Sequence, residues 1–223
     1  MNFFLVIVLA IAAAPNPIPR SDNARDVFYK CKLCAARIDS TIDLLNFQFV
    51  QKVEMKSRDG SKDNLVFRIS VKHGIFERRL ISSTVPNGDR FNGGYDAFDK
   101  MFLLSEYFSD SGKILSSCEF ENPEENGRYS IRFAYSSSSD KGDPLSIVHA
   151  TLDSADYIPI QIEESIKGLP LGVEFQNDVS VGYDSTLRIS YPRNVVMHVY
   201  AHFLFLKGEI AVVKIENGDL KRL

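Results

Sequence analysis

Tryptophan is absent from this 223-residue chain, cysteine occurs only three times, and neither sign of charge accumulates. Lysine and arginine number 26 against 29 aspartates and glutamates, for a net charge of -3 and a pI near 5.8. That balance leaves no basic stripe for a phosphate backbone, so nucleic acid is not an expected partner. Three cysteines cannot build a dense disulfide framework, and at least one thiol is left over. No G-x-S-x-G, H-E-x-x-H or P-loop occurs, and no glycine-rich stretch joins a strand to a helix. No catalytic residue, metal or cofactor is therefore expected, and the chain is not read as an enzyme. Acid pairs such as Glu163-Glu164 and Glu124-Glu125 read as solvated faces or loop charge.

What is present is an ordinary globular composition, 44% hydrophobic and 25% charged, with 16 Phe and 9 Tyr. Residues 1–14 form an apolar run too short to span a bilayer and ending in small residues, which reads as a secretory signal peptide. Ala10-x-Ala12 is the better cleavage site, because a cut after Ala14 leaves Pro15 beside it. A buried N-terminal strand is the alternative for this run. No cysteine follows it for lipid attachment, so no stable membrane anchor is expected after cleavage, and the expected location is periplasmic or secreted. Residues 15–20 carry Pro15, Pro17 and Pro19 and form a stiff spacer. A single folded domain is expected over 21–223.

Within that domain the first pattern is helical. From Ser21 to Leu45, Val27, Phe28, Cys31, Cys34, Ala35, Ile38, Ile42 and Leu45 recur at three- and four-residue spacing, with Ser21 or Asp22 as cap. Cys31-Lys32-Leu33-Cys34 falls in mid-helix rather than at a helix N-terminus, where redox chemistry needs it. Core thiols or a structural disulfide are expected instead. Strands then alternate over 47–56, 65–72 and 75–83, the last bearing Glu77, Arg78 and Arg79 as a solvated or edge segment. A second helix, rich in aromatics, is expected over Tyr95–Phe108. Strands return at 116–120 and 129–135, then near Val173 and Phe175, and near Leu187, Ile189 and Tyr191. Pro192-Arg193-Asn194 reads as a turn into a central strand over 195–206, apolar on both faces, and Lys207-Gly208 as a turn into a last strand over 209–215 before a polar tail. About ten strands result.

The stretch from Ser146 to Glu164 brings two alternating strands round an Asp153-Ser154-Ala155-Asp156 turn. Ile158, Ile160 and Ile162 share one face, and Pro159, which has no N–H to donate, belongs at an edge or a strand start. His198, Tyr200 and His202 share a strand face, but residues four apart in a strand lie about 13 Å apart, too far to share a metal directly.

The order of these elements, with the Leu152-Asp153 and Ile158-Pro159-Ile160 corner and Pro192 before the final hairpin, resembles the bacterial outer-membrane lipoprotein carrier-like family, the LolA/LolB-like lipoprotein-sorting proteins. The resemblance implies a mainly β, α+β fold. Its core is a single antiparallel, incompletely closed half-barrel, covered by the N-terminal amphipathic helix and the mid-chain helix. It also implies an apolar ligand, a lipid or lipoprotein acyl chain, held on the concave face. The alternative is an envelope interaction or sensor module of the same fold that binds a protein partner without lipid transport. Apolar strand and helix faces nominate Phe47, Phe49, Phe67, Ile69, Phe98, Phe102, Ile131 and Phe133 as cavity candidates. A concave apolar pocket of at least about 300 Å³ is the mark of the carrier, and a filled core that of the alternative.

Overall fold

The computed structural model describes residues 23–86, 100–109, 113–137, 145–169, 172–203 and 206–223. The expected signal peptide and spacer, and Phe98, lie outside the described residues. Helix α1, Ala24–Leu44, begins two residues after the expected caps. Asn23 is the cap, its side chain accepting from the Asp26 amide at 2.9 Å. Val27, Phe28, Cys31, Ala35 and Ile42 are buried along one stripe, as their spacing requires. Asp39 is buried in the same stripe, which hydrophobic periodicity could not anticipate.

Ten strands follow: β1 Asn46–Ser57, β2 Lys62–Lys72, β3 Ile75–Ser83, β4 Lys113–Glu125, β5 Arg128–Ser137, β6 Leu145–Asp153, β7 Pro159–Lys167, β8 Val173–Asp184, β9 Ile189–Phe203 and β10 Leu206–Arg222. They form one antiparallel sheet in the order β3-β2-β1-β10-β9-β8-β7-β6-β5-β4. Every neighbour is a hairpin partner except β1 and β10, so the chain is a meander whose two termini pair at its middle. β3 and β4 remain as edges, and the sheet is an open half-barrel. Three register shifts interrupt β4 against β5, which blunts that edge.

Several expectations change in detail. Pro192 does not turn the chain. It lies inside β9, opposite Val181, where the β8–β9 register shifts between Ser180 and Val181. A bulge tolerates a residue with no N–H to give. Nor do Lys207-Gly208 end a strand; they belong to β10, and the polar tail continues β10 to Arg222 against Phe47. Of the expected mid-chain helix, 95–99 lie outside the described residues, Lys100 is helical, and Leu104–Phe108 form a separate 3-10 helix after a turn. Pro159 starts β7, as its missing donor demands. Glu77 and Arg79 are exposed on edge strand β3, but Arg78 points inward, 8% exposed, with its guanidinium over the Phe67 ring at 5.1 Å.

The register fixes which residues face the core. One row crosses eight strands: Leu65, Val53, Ile215, Val195, Val179, Ile162, Ala150 and Ile131, each no more than 2% exposed. Helix α1 and the 3-10 helix lie on this face. Phe28 meets Phe133 at 4.8 Å, and Cys118 Sγ lies 3.3 Å from the Ala24 carbonyl, so α1 starts over β4 and β5. It ends near the β2–β3 turn, where Gly74 faces Asp43. The Asp39 carboxylate accepts from the Leu104 and Ser105 amides at 3.1 and 2.8 Å, tying the 3-10 helix to α1. The β6–β7 corner is pinned to α1 too, because Lys30 lies over the Tyr157 ring and donates to its hydroxyl at 3.1 Å.

Candidate functional site

The seven described cavity candidates sit in the core. Phe47, Phe49, Phe67, Ile69, Phe102, Ile131 and Phe133 are each no more than 1% exposed. Phe102 gathers four aromatic partners, Phe49 at 4.5 Å, Tyr191 at 5.8 Å, Phe76 at 5.9 Å and Phe47 at 6.2 Å. Phe133 lies 4.8 Å from Phe28 and 5.7 Å from Phe108. Rings at these separations exclude water from one another and form a packed interior. The sheet brings the candidates together as two aromatic clusters, one round Phe102 over β1 and one round Phe133 over β5.

Two depressions of several hundred Å³ lie among the described residues, and neither opens into that aromatic core. One of about 450 Å³ is bordered by Lys52, Glu54, Lys214 and Glu216, with Val53, Leu65, Val195 and Ile215 beneath. The latter four are at most 2% exposed from the core side, so this depression opens on the outer face. Its rim is ion-paired, Lys52 to Glu216 at 3.7 Å and Lys62 to Glu54 at 3.5 Å. Exposed pairs of that kind mark a solvated surface. The other, about 500 Å³, lies where β7 and β8 diverge, since their pairing ends at Gln161–Ser180 while β8 runs on to Asp184. Its walls mix Ile158, Ile160, Val181 and Tyr183 with Asp153 and Asp156.

The inner face itself holds a different apolar surface. Beyond the buried row, the register sets Val213 beside Met197, and then Ala211 beside Val199, Phe175 and Ile166. All six are half-buried, and Met197, Val199, Phe175 and Ile166 do not belong to the packed core. They form a half-buried apolar shelf on the inner face of β7 to β10, beside the packed core. In an antiparallel sheet with one face on the core, this face is the one water should leave. Single half-exposed apolar residues are ordinary; here four adjoining strands contribute to one patch.

Polar side chains border the shelf. Glu164 occupies the inward position between Val148 on β6 and Asn177 on β8. Its carboxylate accepts from Ser146 Oγ and Asn177 Nδ2, each at 3.0 Å. The Tyr107 hydroxyl donates to the Met101 carbonyl at 3.2 Å, and burial, with the nearby Glu164 and Glu106 carboxylates, raises its pKa. The acid pair therefore does not act as one solvated unit: Glu163 is exposed and Glu164 faces inward. The signal was parity, since Glu164 continues the alternation of Ile158, Ile160 and Ile162.

Three of the histidines take carboxylates from other strands of the sheet as partners. His198 Nδ1 lies 2.6 Å from Glu209 on β10, His202 Nε2 3.2 Å from Glu174 on β8, and His149 Nδ1 2.6 Å from Glu121 on β4. Lys207 joins the His202–Glu174 pair, 2.9 Å from Glu174 and over the Tyr200 ring at 4.2 Å. Among the described residues no three His, Cys, Asp or Glu side chains are grouped to hold a metal. All three cysteines are free thiols, Cys31 buried and Cys34 and Cys118 half-buried. Burial pushes the thiols up, Cys118 to about 11, which keeps them protonated and poor nucleophiles at neutral pH.

No family model matches the chain, and no curated protein does. Among the solved structures it resembles are two bacterial proteins. One is a LolA-superfamily protein from Nitrosomonas europaea, at 9% identity and a TM-score of 0.42 over 91% of this chain and 94% of that one. The other is an outer membrane lipoprotein-sorting protein domain from Vibrio parahaemolyticus, at 10% identity and a TM-score of 0.42 over 90% of this chain and 93% of that one. At these scores they carry no argument about what this chain binds.

Proposed function

We propose that this chain is a secreted, periplasmic protein that binds an apolar chain, a lipid or a lipoprotein acyl chain, against the inner face of its half-barrel without covalent chemistry. The observation that supports this reading is the shelf of Phe175, Met197, Val199, Ala211, Val213 and Ile166, half-buried on the face that otherwise forms the core. Each methylene moved from water onto it contributes about 0.8 kcal/mol, so a long acyl chain needs few polar contacts. The packed phenylalanines of the core are not part of this shelf. Their packing is also the observation that favours a protein-binding module, because they leave no space among themselves for a ligand.

Denaturing extraction and mass spectrometry of the purified protein decide between these readings. Chain-bearing lipid is expected from the wild type and is lost from a Met197→Asp, Val199→Asp variant with unchanged far-UV circular dichroism. A lipid-free wild type that also fails to take up an added fluorescent fatty acid refutes the carrier reading.

A further inference from the structure

The geometry points to a headgroup site for a cationic, hydrogen-bond-donating amphiphile at Glu164, with the apolar tail on the adjoining shelf; this rests on the binding reading above. Carboxylates on the core face of a sheet are costly to keep dry unless they are satisfied. Glu164 is half-buried there, and its two described partners, Ser146 and Asn177, are neutral donors. Among the described residues no lysine, arginine or histidine pairs with it, although ion pairs are frequent elsewhere on this sheet. Each oxygen receives one hydrogen bond, which leaves acceptor capacity on both. Ser146 and Asn177 fix the carboxylate from β6 and β8, so its orientation is set before any ligand arrives.

A second polar atom lies in the same place. Asn177 is 7% exposed and donates to Glu164, while its Oδ1 is buried with no hydrogen-bond partner among the described residues. A buried acceptor without a donor costs about 1–3 kcal/mol. Two acceptors side by side, one of them charged, on the border of an apolar surface call for a ligand group that donates more than one hydrogen bond and carries positive charge. A primary ammonium has three donors and a compact charge. A carboxylate or phosphate headgroup is repelled at this position.

Dodecylamine, dodecanol and dodecanoate share one chain and differ in the headgroup, which separates the two claims. Their displacement of a fluorescent probe is measured below the micellar range on the wild type, on Glu164→Gln and on Glu164→Lys. The wild type is expected to bind the amine about tenfold or more tightly than the carboxylate, as a charge-assisted hydrogen bond allows. Glu164→Gln is expected to bring the three within about twofold of one another, and Glu164→Lys to reverse the order, each with unchanged far-UV circular dichroism and a lowered thermal midpoint from the lost Ser146 and Asn177 hydrogen bonds. Equal displacement by all three compounds on the wild type, or discrimination that survives Glu164→Gln, overturns the headgroup site and leaves the shelf standing. Failure of every compound to displace the probe overturns the shelf itself.

Discussion

Truncating Phe102 to alanine tests whether the aromatic cluster is a core or the lining of an open cavity. Phe102 is 1% exposed and sits within 6.2 Å of four other rings, those of Phe49, Tyr191, Phe76 and Phe47. A buried phenylalanine cut to alanine costs about 3–5 kcal/mol, the transfer of the ring plus the cavity left behind. Three of these partners, Phe47, Phe49 and Tyr191, are themselves buried and held by strands, so collapse into the gap is restricted. The upper part of that range is expected. For a domain of this size each kcal/mol moves the thermal midpoint by about 2–4 °C, so a fall of roughly 6–20 °C follows, with a matching shift in the urea midpoint at unchanged slope. Phe175→Ala on the half-exposed shelf is the control and is expected to cost less than half as much. A loss below about 1 kcal/mol at Phe102 refutes the packed core, since only a residue already facing empty space can be removed so cheaply.

Three further perturbations follow from local geometry. Gly74 has φ +74°, and an added Cβ there meets Asp43 Oδ1 at 2.5 Å, so Gly74→Ala is expected to cost about 1–2 kcal/mol for the left-handed backbone, plus a steric part that Asp43→Ala relieves in a double-mutant cycle read by urea unfolding. Asp39→Ala strands the Leu104 and Ser105 amides and is expected to cost about 1–3 kcal/mol, with hydrogen exchange rising across the 3-10 helix. Burial raises Asp39 above its ordinary 3.8, against the hydrogen bonds from Ser105 and Leu104. The folded state therefore holds that proton more firmly than the unfolded chain, and this contribution to stability fades as pH rises from about 3.8 through the raised value. Glu174 has the opposite sign. Burial alone raises it, but hydrogen bonds from Lys207 and His202 outweigh that and hold it below 4.5, so its contribution is present above 4.5 and lost as pH falls through the depressed value. Glu174→Gln is expected to flatten the acid limb of the stability profile below pH 4.5; an unchanged limb refutes the pairing.

Alternation and helical spacing sufficed to read α1 and the β1–β2 hairpin, because each has one face on the core and the period reports that directly. By contrast, Arg78 turns inward on β3 and a register shift between Thr151 and Leu152 buries Pro159 at the β6–β7 corner, which alternation alone misassigns. Pairing was less legible. Residues 216–222 are polar enough to pass for a tail, yet they complete the seam with β1, where the Gln51 and Asn217 side chains are joined at 3.1 Å and Asn217 donates to the Pro192 carbonyl at 2.8 Å. That network also marks where a proline stays within a strand, information that resides in partners far away in sequence. The site was partly legible for the same reason. Phenylalanine on an apolar face is equally suited to packing and to lining a cavity, and only the neighbours brought in by register show that Phe49 and Phe102 stack on each other. The shelf residues Phe175, Met197 and Val199 had the correct parity, but what distinguishes them is that they are half-buried and outside the packed core, which depends on the neighbouring strands and which no single segment encodes.

The most direct measurement of where a chain lies uses methyl-labelled protein and a dodecyl chain carrying a nitroxide. Paramagnetic broadening is expected at the methyls of Met197, Val199 and Val213, while Ile69 and Ile131 in the packed interior keep their intensity. Broadening at Ile69 and Ile131 with Met197 and Val199 spared, or no localised broadening anywhere, contradicts the account.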